Sequence, residues 1–143
     1  MVRLQGGFTL LEMLVVIVLI SLAAGLVGFG LQQGLKATDQ RQAVGQMVDA
    51  LRQTRSLAII SAQPARAIFD MQGLSVQVPG RPPRHWPAAL HVTLHTAEEA
   101  GSAVEFYPDG SSTGGHVVIA SDTRHWRIDI GWLTGSVQWT VLE

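Results

Sequence analysis

The chain contains no cysteine, which excludes disulfide staples and leaves the redox compartment unread. It also lacks an excess of either charge. Ten Lys and Arg face eleven Asp and Glu, for a formal net charge of −1, whereas a dedicated nucleic-acid binder normally shows a basic patch or stripe. No Arg or Lys follows Arg127, no internal repeat is evident, and no charged residue stands between Met13 and Leu31. What is present is uneven. Of 143 residues, 47% are hydrophobic, and the apolar excess lies in the N-terminal run. From Lys36 onward the charges nearly cancel and the composition is that of one small soluble domain.

The N-terminal run begins "GGFTLLEMLVVIVLI" (Gly6–Ile20) and carries a glutamate, Glu12, inside it. A charge at a bilayer centre costs roughly 2.5–3.5 kcal/mol on insertion scales. Three readings compete. A secretory signal would use Arg3 as its basic start and Ser21–Ala23 as its small-residue cleavage site, but Glu12 interrupts its apolar region. A plain signal anchor has the ~20 apolar residues that span ~30 Å and leaves Glu12 unexplained. A cut at Gly7–Phe8, before the apolar run, would expose an ammonium on Phe8 and make Glu12 the fifth residue of the mature chain. In an array of similar helices, Glu12 could then pair with a neighbour's amino terminus, and a buried charge is tolerable when paired.

The stretch "GFTLLEMLVVIVLISLAAGL" resembles the class III signal of type IV pilins and type II secretion pseudopilins, in which a short basic leader, Gly-Phe and a Glu at mature position five precede an unbroken apolar run. The resemblance implies that a membrane-embedded prepilin peptidase cuts between Gly7 and Phe8 and N-methylates Phe8. It also makes Glu12 the assembly glutamate.

Beyond the apolar run, Val44, Met47, Val48, Leu51, Arg55 and Ala58 recur at spacings of three and four, the stripe of an amphipathic helix. Pro64 disfavours helix at the residue before it. One continuous helix from Phe8 to about Ala62 would be ~80 Å long. Gly25, Gly28, Gly30 and Gly34 lie in its first half, either for bending and close packing or because glycine is common in membrane helices. From Arg66 the period becomes two. A hairpin around Met71–Gly73 is expected, then strands at Leu90–His95, Ala103–Tyr107, His116–Ala120, His125–Ile130 and Ser136–Val141. Trp126, Ile128 and Ile130 should share one face, and Val137, Trp139 and Val141 should line a face of the last strand. The proline-rich "PGRPPRHWP" between the second and third strands cannot be a central strand. The expected fold is α+β and pilin-like: a long N-terminal helix, its first half transmembrane, packed on an antiparallel sheet or sandwich head. The divisions are 1–7 leader, 8–35 transmembrane half, 36–62 amphipathic half and 63–143 β-rich head.

Within "FYPDGSSTGGHVVIAS", Pro108-Asp109-Gly110 is turn chemistry. Gly114-Gly115 lacks the Gly-Lys-Ser/Thr ending and the following helix of a phosphate loop. The pattern Phe106-x-Pro108-x-Gly110, then Gly114-Gly115 and a β-run, is similar to the head of the GspH/FimT group of minor pseudopilins. The closing "LTGSVQW" (Leu133–Trp139) resembles that group's terminal Thr-Gly-x-Val strand. These resemblances imply a minor pseudopilin near the tip of a type II secretion pseudopilus, helping export folded proteins across the outer membrane. The expected location is the bacterial inner membrane, single-pass, with the head in the periplasm. Expected partners are other pseudopilins, major and minor, the prepilin peptidase, the inner-membrane assembly platform and membrane lipid. The alternative is a FimT/FimU-like minor pilin of a type IV pilus, in pilus priming or DNA uptake. The absence of basic residues after Arg127 argues against nucleic acid as a partner, since phosphate contacts supply most non-specific affinity.

An enzyme is not expected, nor a cofactor or a metal. His91 and His95, four apart on a strand, lie ~13 Å apart, too far to share a zinc held at ~2 Å per bond. His116, His125, Asp109 and Ser111 contain the residue types of a triad, but only geometry identifies one. In the proline-rich loop, Trp86 with Arg84 beside it is a possible partner contact, because an exposed Trp can anchor a neighbour. Trp86 folded back onto the core is the other reading.

Overall fold

A computed structural model describes residues 9–142, the side chains of 26–37 excepted. The chain divides into a first unit ending at Thr38 and a second beginning at Asp39, with helix α1 (Leu10–Ser61) running through both. Thr9 starts this helix. Its Oγ1 accepts a hydrogen bond from the Glu12 N–H at 3.2 Å, so Thr9-x-x-Glu12 has the sequence and the first bond of a capping box. At the other end Ala62 adopts φ 53°, the left-handed conformation that closes many helices, and Pro64 forbids continuation.

In the first unit, Leu10, Leu11, Leu14, Ile17, Leu19, Ile20 and Leu22 are all exposed. Such a surface is stable only against lipid or other helices. Among the described residues no helix is long and apolar enough to cross a membrane. The expected transmembrane half, 8–35, has described side chains only from Thr9 to Gly25.

The second unit carries the core. Its strands are β1 (Ala65–Asp70), β2 (Ser75–Gln77), β3 (Arg84–His85), β4 (His91–His95), β5 (Ala103–Phe106), β6 (Gly115–Ala120), β7 (His125–Ile130) and β8 (Val137–Leu142), with a 3₁₀ turn at Glu98–Ala100. They form two antiparallel sheets, β3-β2-β1-β5 and β4-β6-β7-β8. The proline-rich stretch supplies only the two-residue edge strand β3, as its missing N–H groups require. Alternation decides what faces inward. Ala65, Ala67 and Phe69 are buried on β1, and Trp126, Ile128 and Ile130 on β7. The helical stripe of Val44, Met47, Val48, Leu51 and Ala58 joins them in one apolar cluster extending from Ala43 to Val137. Each fully buried large side chain is worth roughly 1.5–3 kcal/mol, so this cluster is what the unit stands on. Thr54, buried within the helix, donates to Ala50 O at 2.8 Å and leaves its hydroxyl proton satisfied.

One expectation, the exposed Trp86 anchor, is corrected. Trp86 is 5% exposed and sits with its ring centroid 6.3 Å from that of Phe69, so it is not an exposed anchor. Its large apolar surface drives it onto the core, and the Trp86 backbone N–H donates to Leu74 O at 2.9 Å. On β8, Val137 is buried but Trp139 and Val141 are 46% and 53% exposed. All three face the same side, yet β8 is an edge strand and only its first residue is covered.

Candidate functional site

The two loops singled out in the sequence meet on the helix. Arg55 donates from Nε to Gly110 O at 3.1 Å, and three residues earlier Arg52 donates from Nη2 to Val137 O at 3.0 Å. Gly110 has φ +86° and Gly135 φ +60°, a conformation that costs other residues roughly 1–2 kcal/mol. A β-carbon at Gly135 would collide with Gly110 O and lie 2.9 Å from Arg55 Nε. Glycine is required here by the space as well as by the backbone. Further bonds tie the loops together. The Ser112 N–H donates to Trp132 O at 2.8 Å and Ser112 Oγ to Gly131 O at 3.1 Å, while the Gly114 N–H donates to Ser112 Oγ at 3.0 Å. Gly115, at φ +122°, allows β4 to lie close, since a β-carbon there would collide with His95 O. The result is a clasp that fixes helix, β5–β6 loop and β7–β8 loop in one arrangement.

Beside the clasp stand exposed apolar side chains. Trp132 and Leu133 in the β7–β8 loop are 69% and 67% exposed, and Trp139 and Val141 follow on the β8 edge. An edge strand with unpaired backbone groups and exposed aromatic side chains is a template for pairing with another chain.

The other candidate residues separate. Gly7 and Phe8 lie outside the described residues. Glu12 is exposed in the first turn of α1, where the helix dipole favours a negative charge. Arg84 is half-buried and pins β3 to the helix, donating from Nη1 to Gln46 O at 3.3 Å and from Nη2 to Gln53 Oε1 at 2.9 Å. Trp86 lines a cleft of about 300 Å³ with Met71, Leu74 and Leu90. Its Nε1 has no partner among the described residues.

No triad is assembled. Ser111 bonds Asp109 through both Oγ, at 2.6 Å, and its N–H, at 2.9 Å, closing the turn. The Ser111 hydroxyl, then its N–H, hold the Asp109 carboxyl below its ordinary pKa. His125 is exposed at the start of β7. His116 stacks instead on His95, with ring centroids 4.6 Å apart and planes 21° apart. Burial first, then the nearby positive charge of Arg127 and the His95 ring, lower the His116 pKa against an opposing pull from Asp129. The sequence set His95 only against His91, too far along the same strand, and did not show this partner across the ladder. The clasp was missed as well, although the Gly-rich loop and the Thr-Gly turn were its visible signals.

Residues 43–134 match the family model for type II transport protein GspH. The chain belongs to the GspH family. A second match, to the prokaryotic N-terminal methylation motif, covers residues 2–28. The type II secretion system protein H of Xanthomonas campestris pv. campestris is 38% identical over 141 residues, covering 95% of this chain and 83% of that one. Its namesake in Escherichia coli K12 is 32% identical over 83 residues, covering 57% of this chain and 49% of that one. Among solved structures, the fold is similar to the minor pseudopilin EpsH from the Type 2 Secretion System of Vibrio cholerae, at TM-score 0.58 and 13% identity, covering 72% and 97% of the two chains. It is also similar to the type IV minor pilin FimU of Pseudomonas aeruginosa, at TM-score 0.57 and 12% identity, covering 76% and 96%. The pilin-like fold is common to both systems, whereas the GspH match and the Xanthomonas relative point to type II secretion. The GspH segment opens at Ala43, where the core begins, and includes Arg52, Arg55 and Gly110 of the clasp.

Proposed function

We propose that this GspH-family chain is a structural subunit near the tip of a periplasmic pseudopilus, helping to move folded proteins across the outer membrane. In this reading the chain is a single-pass protein of the inner membrane with its head in the periplasm, and it performs no catalysis. The prepilin peptidase cuts between Gly7 and Phe8 and methylates Phe8. Glu12 then pairs with a neighbouring subunit's amino terminus as the assembly platform adds the subunit to the filament. The observation that carries the reading is the methylation-motif match over residues 2–28, which contains Gly7, Phe8 and Glu12. Within it lies a helical surface, Leu10–Leu22, whose apolar side chains are exposed and call for lipid first and for other helices after assembly. The apolar residues around the clasp and the β8 edge offer the head a surface for neighbouring pseudopilins.

The test is secretion in a strain lacking the gene. Exoproteins should collect, folded, in the periplasm and reach the medium again when the wild-type gene is restored. Normal secretion would refute the proposal and favour the type IV pilus alternative, whose minor pilin FimU has a similar fold.

A further inference from the structure

His95 and His116 stand on different strands and meet by register. They are directly paired across β4 and β6, and their rings lie almost parallel at 4.6 Å. Two nitrogens bound to one ion at about 2.0–2.1 Å each are separated by roughly 3–4 Å; the stacked rings do not meet this as they stand, and rotation about the side-chain torsions of these directly opposed residues turns a nitrogen from each toward a common point. His91 fails this condition, being ~13 Å from His95 along the same strand. Among the described residues, no hydrogen bond engages a ring nitrogen of His95 or His116, and their lone pairs are free for a ligand.

We propose that His95 and His116 form a two-histidine site for a late first-row divalent ion. Imidazole nitrogens suit copper, nickel and zinc, and copper(II) heads the affinity order. The next position in the row supports the same assignment. Asp129 is paired with His116 across β6 and β7, and it is held by Arg127 in a contact of 2.7 Å with both side chains about half exposed. Half-exposed pairs of this kind are still reached by water and weak, so the Asp129 carboxylate can exchange Arg127 for a bound cation. Arg127 opposes the ion by its charge, and Asp129 offsets that charge. Among the described residues no group of three or more His, Asp or Glu is gathered around one point. Two imidazoles are therefore the preformed set, and water completes the coordination. The site depends only on the β4–β6–β7 ladder and not on the secretion reading.

The experiment is titration of the full chain in detergent with copper(II) sulfate, followed by electron paramagnetic resonance and by competition with a chelator of known affinity. One equivalent should bind with a spectrum of two imidazole nitrogens. His95→Gln and His116→Gln should each weaken binding at least about tenfold, the loss that disturbing even an outer-shell partner produces. His91→Gln and His125→Gln should bind like the parent. Equal losses in His91→Gln would show unspecific surface coordination and overturn the site, as would a His95→Gln/His116→Gln double variant that still binds with parental affinity. All four positions are on the outer face of the sheet, and circular dichroism checks that each variant keeps the fold.

Discussion

Gly135→Ala tests the clasp most directly. Two costs arise there and can be separated. The first is conformational: at φ +60° an alanine gives up roughly 1–2 kcal/mol. The second is spatial, because the new methyl collides with Gly110 O and lies 2.9 Å from Arg55 Nε and 3.0 Å from Arg55 Cδ. It must displace the guanidinium from Gly110 O, and a hydrogen bond to a charged group is worth about 1.5–3 kcal/mol. The sum is roughly 2.5–5 kcal/mol, a large share of the roughly 5–15 kcal/mol that holds a domain folded. Gly80 supplies the control. It too has positive φ, at +73°, but a β-carbon there meets nothing within 4 Å, so Gly80→Ala should show the conformational cost alone. The assay is urea unfolding of the head from Asp39 onward, which contains the entire core. With a slope of roughly 1–3 kcal/mol per molar urea, the Gly135→Ala midpoint should fall at least about 1 M. Equal midpoints for the two variants would refute the close approach of loop, loop and helix.

Three further outcomes follow from the geometry. Glu12→Gln keeps the capping-box pattern, since Gln serves at that position as Glu does, but removes the charge; incorporation into filaments should be lost while leader cleavage continues, and normal incorporation would leave Glu12 with only a capping role. Trp86→Phe should cost well under the 3–5 kcal/mol expected of Trp86→Ala, because it removes an N–H that has no partner, and equal thermal melting losses for the two would contradict the placement of that ring. His116 has a folded pKa below its unfolded value of about 6.5, so the unfolded chain binds the extra proton first and stability falls as pH drops through that value. His116→Gln should flatten this loss between pH 7 and 5 in urea titrations, and an unchanged slope would assign the acid sensitivity elsewhere.

Periodicity made most of the fold legible. The stripe from Val44 to Ala58 named the buried face of the helix, and the alternation of Trp126, Ile128 and Ile130 named the buried face of β7, because in both cases one local period separates core from solvent. Register and sheet membership are not local. β4 passes over β5 to pair with β6, and β5 joins the other sheet, so nothing in the sequence brings His95 to His116. Coverage is not local either: Val137, Trp139 and Val141 have one pattern and two fates, because a partner layer reaches only the first. The choice between the two readings of Trp86 was not legible either, because its prolines describe the backbone of the loop and say nothing of where a large ring goes. Of the candidate site, the glycines were visible, but the sequence did not say that Gly110 and Gly135 touch, or that Arg55 lies between the loops.

The head's arginine joints share one habit. Arg52, Arg55, Arg66 and Arg84 each hold a main-chain carbonyl, those of Val137, Gly110, Ala100 and Gln46. A carbonyl is contributed by every residue type and carries no titrating proton. Substitution can therefore rewrite the outward side chains of the loops, provided the tight glycines stay, and the joints beneath keep the same acceptors. Such a head can change its neighbours over evolutionary time without relearning how to fold.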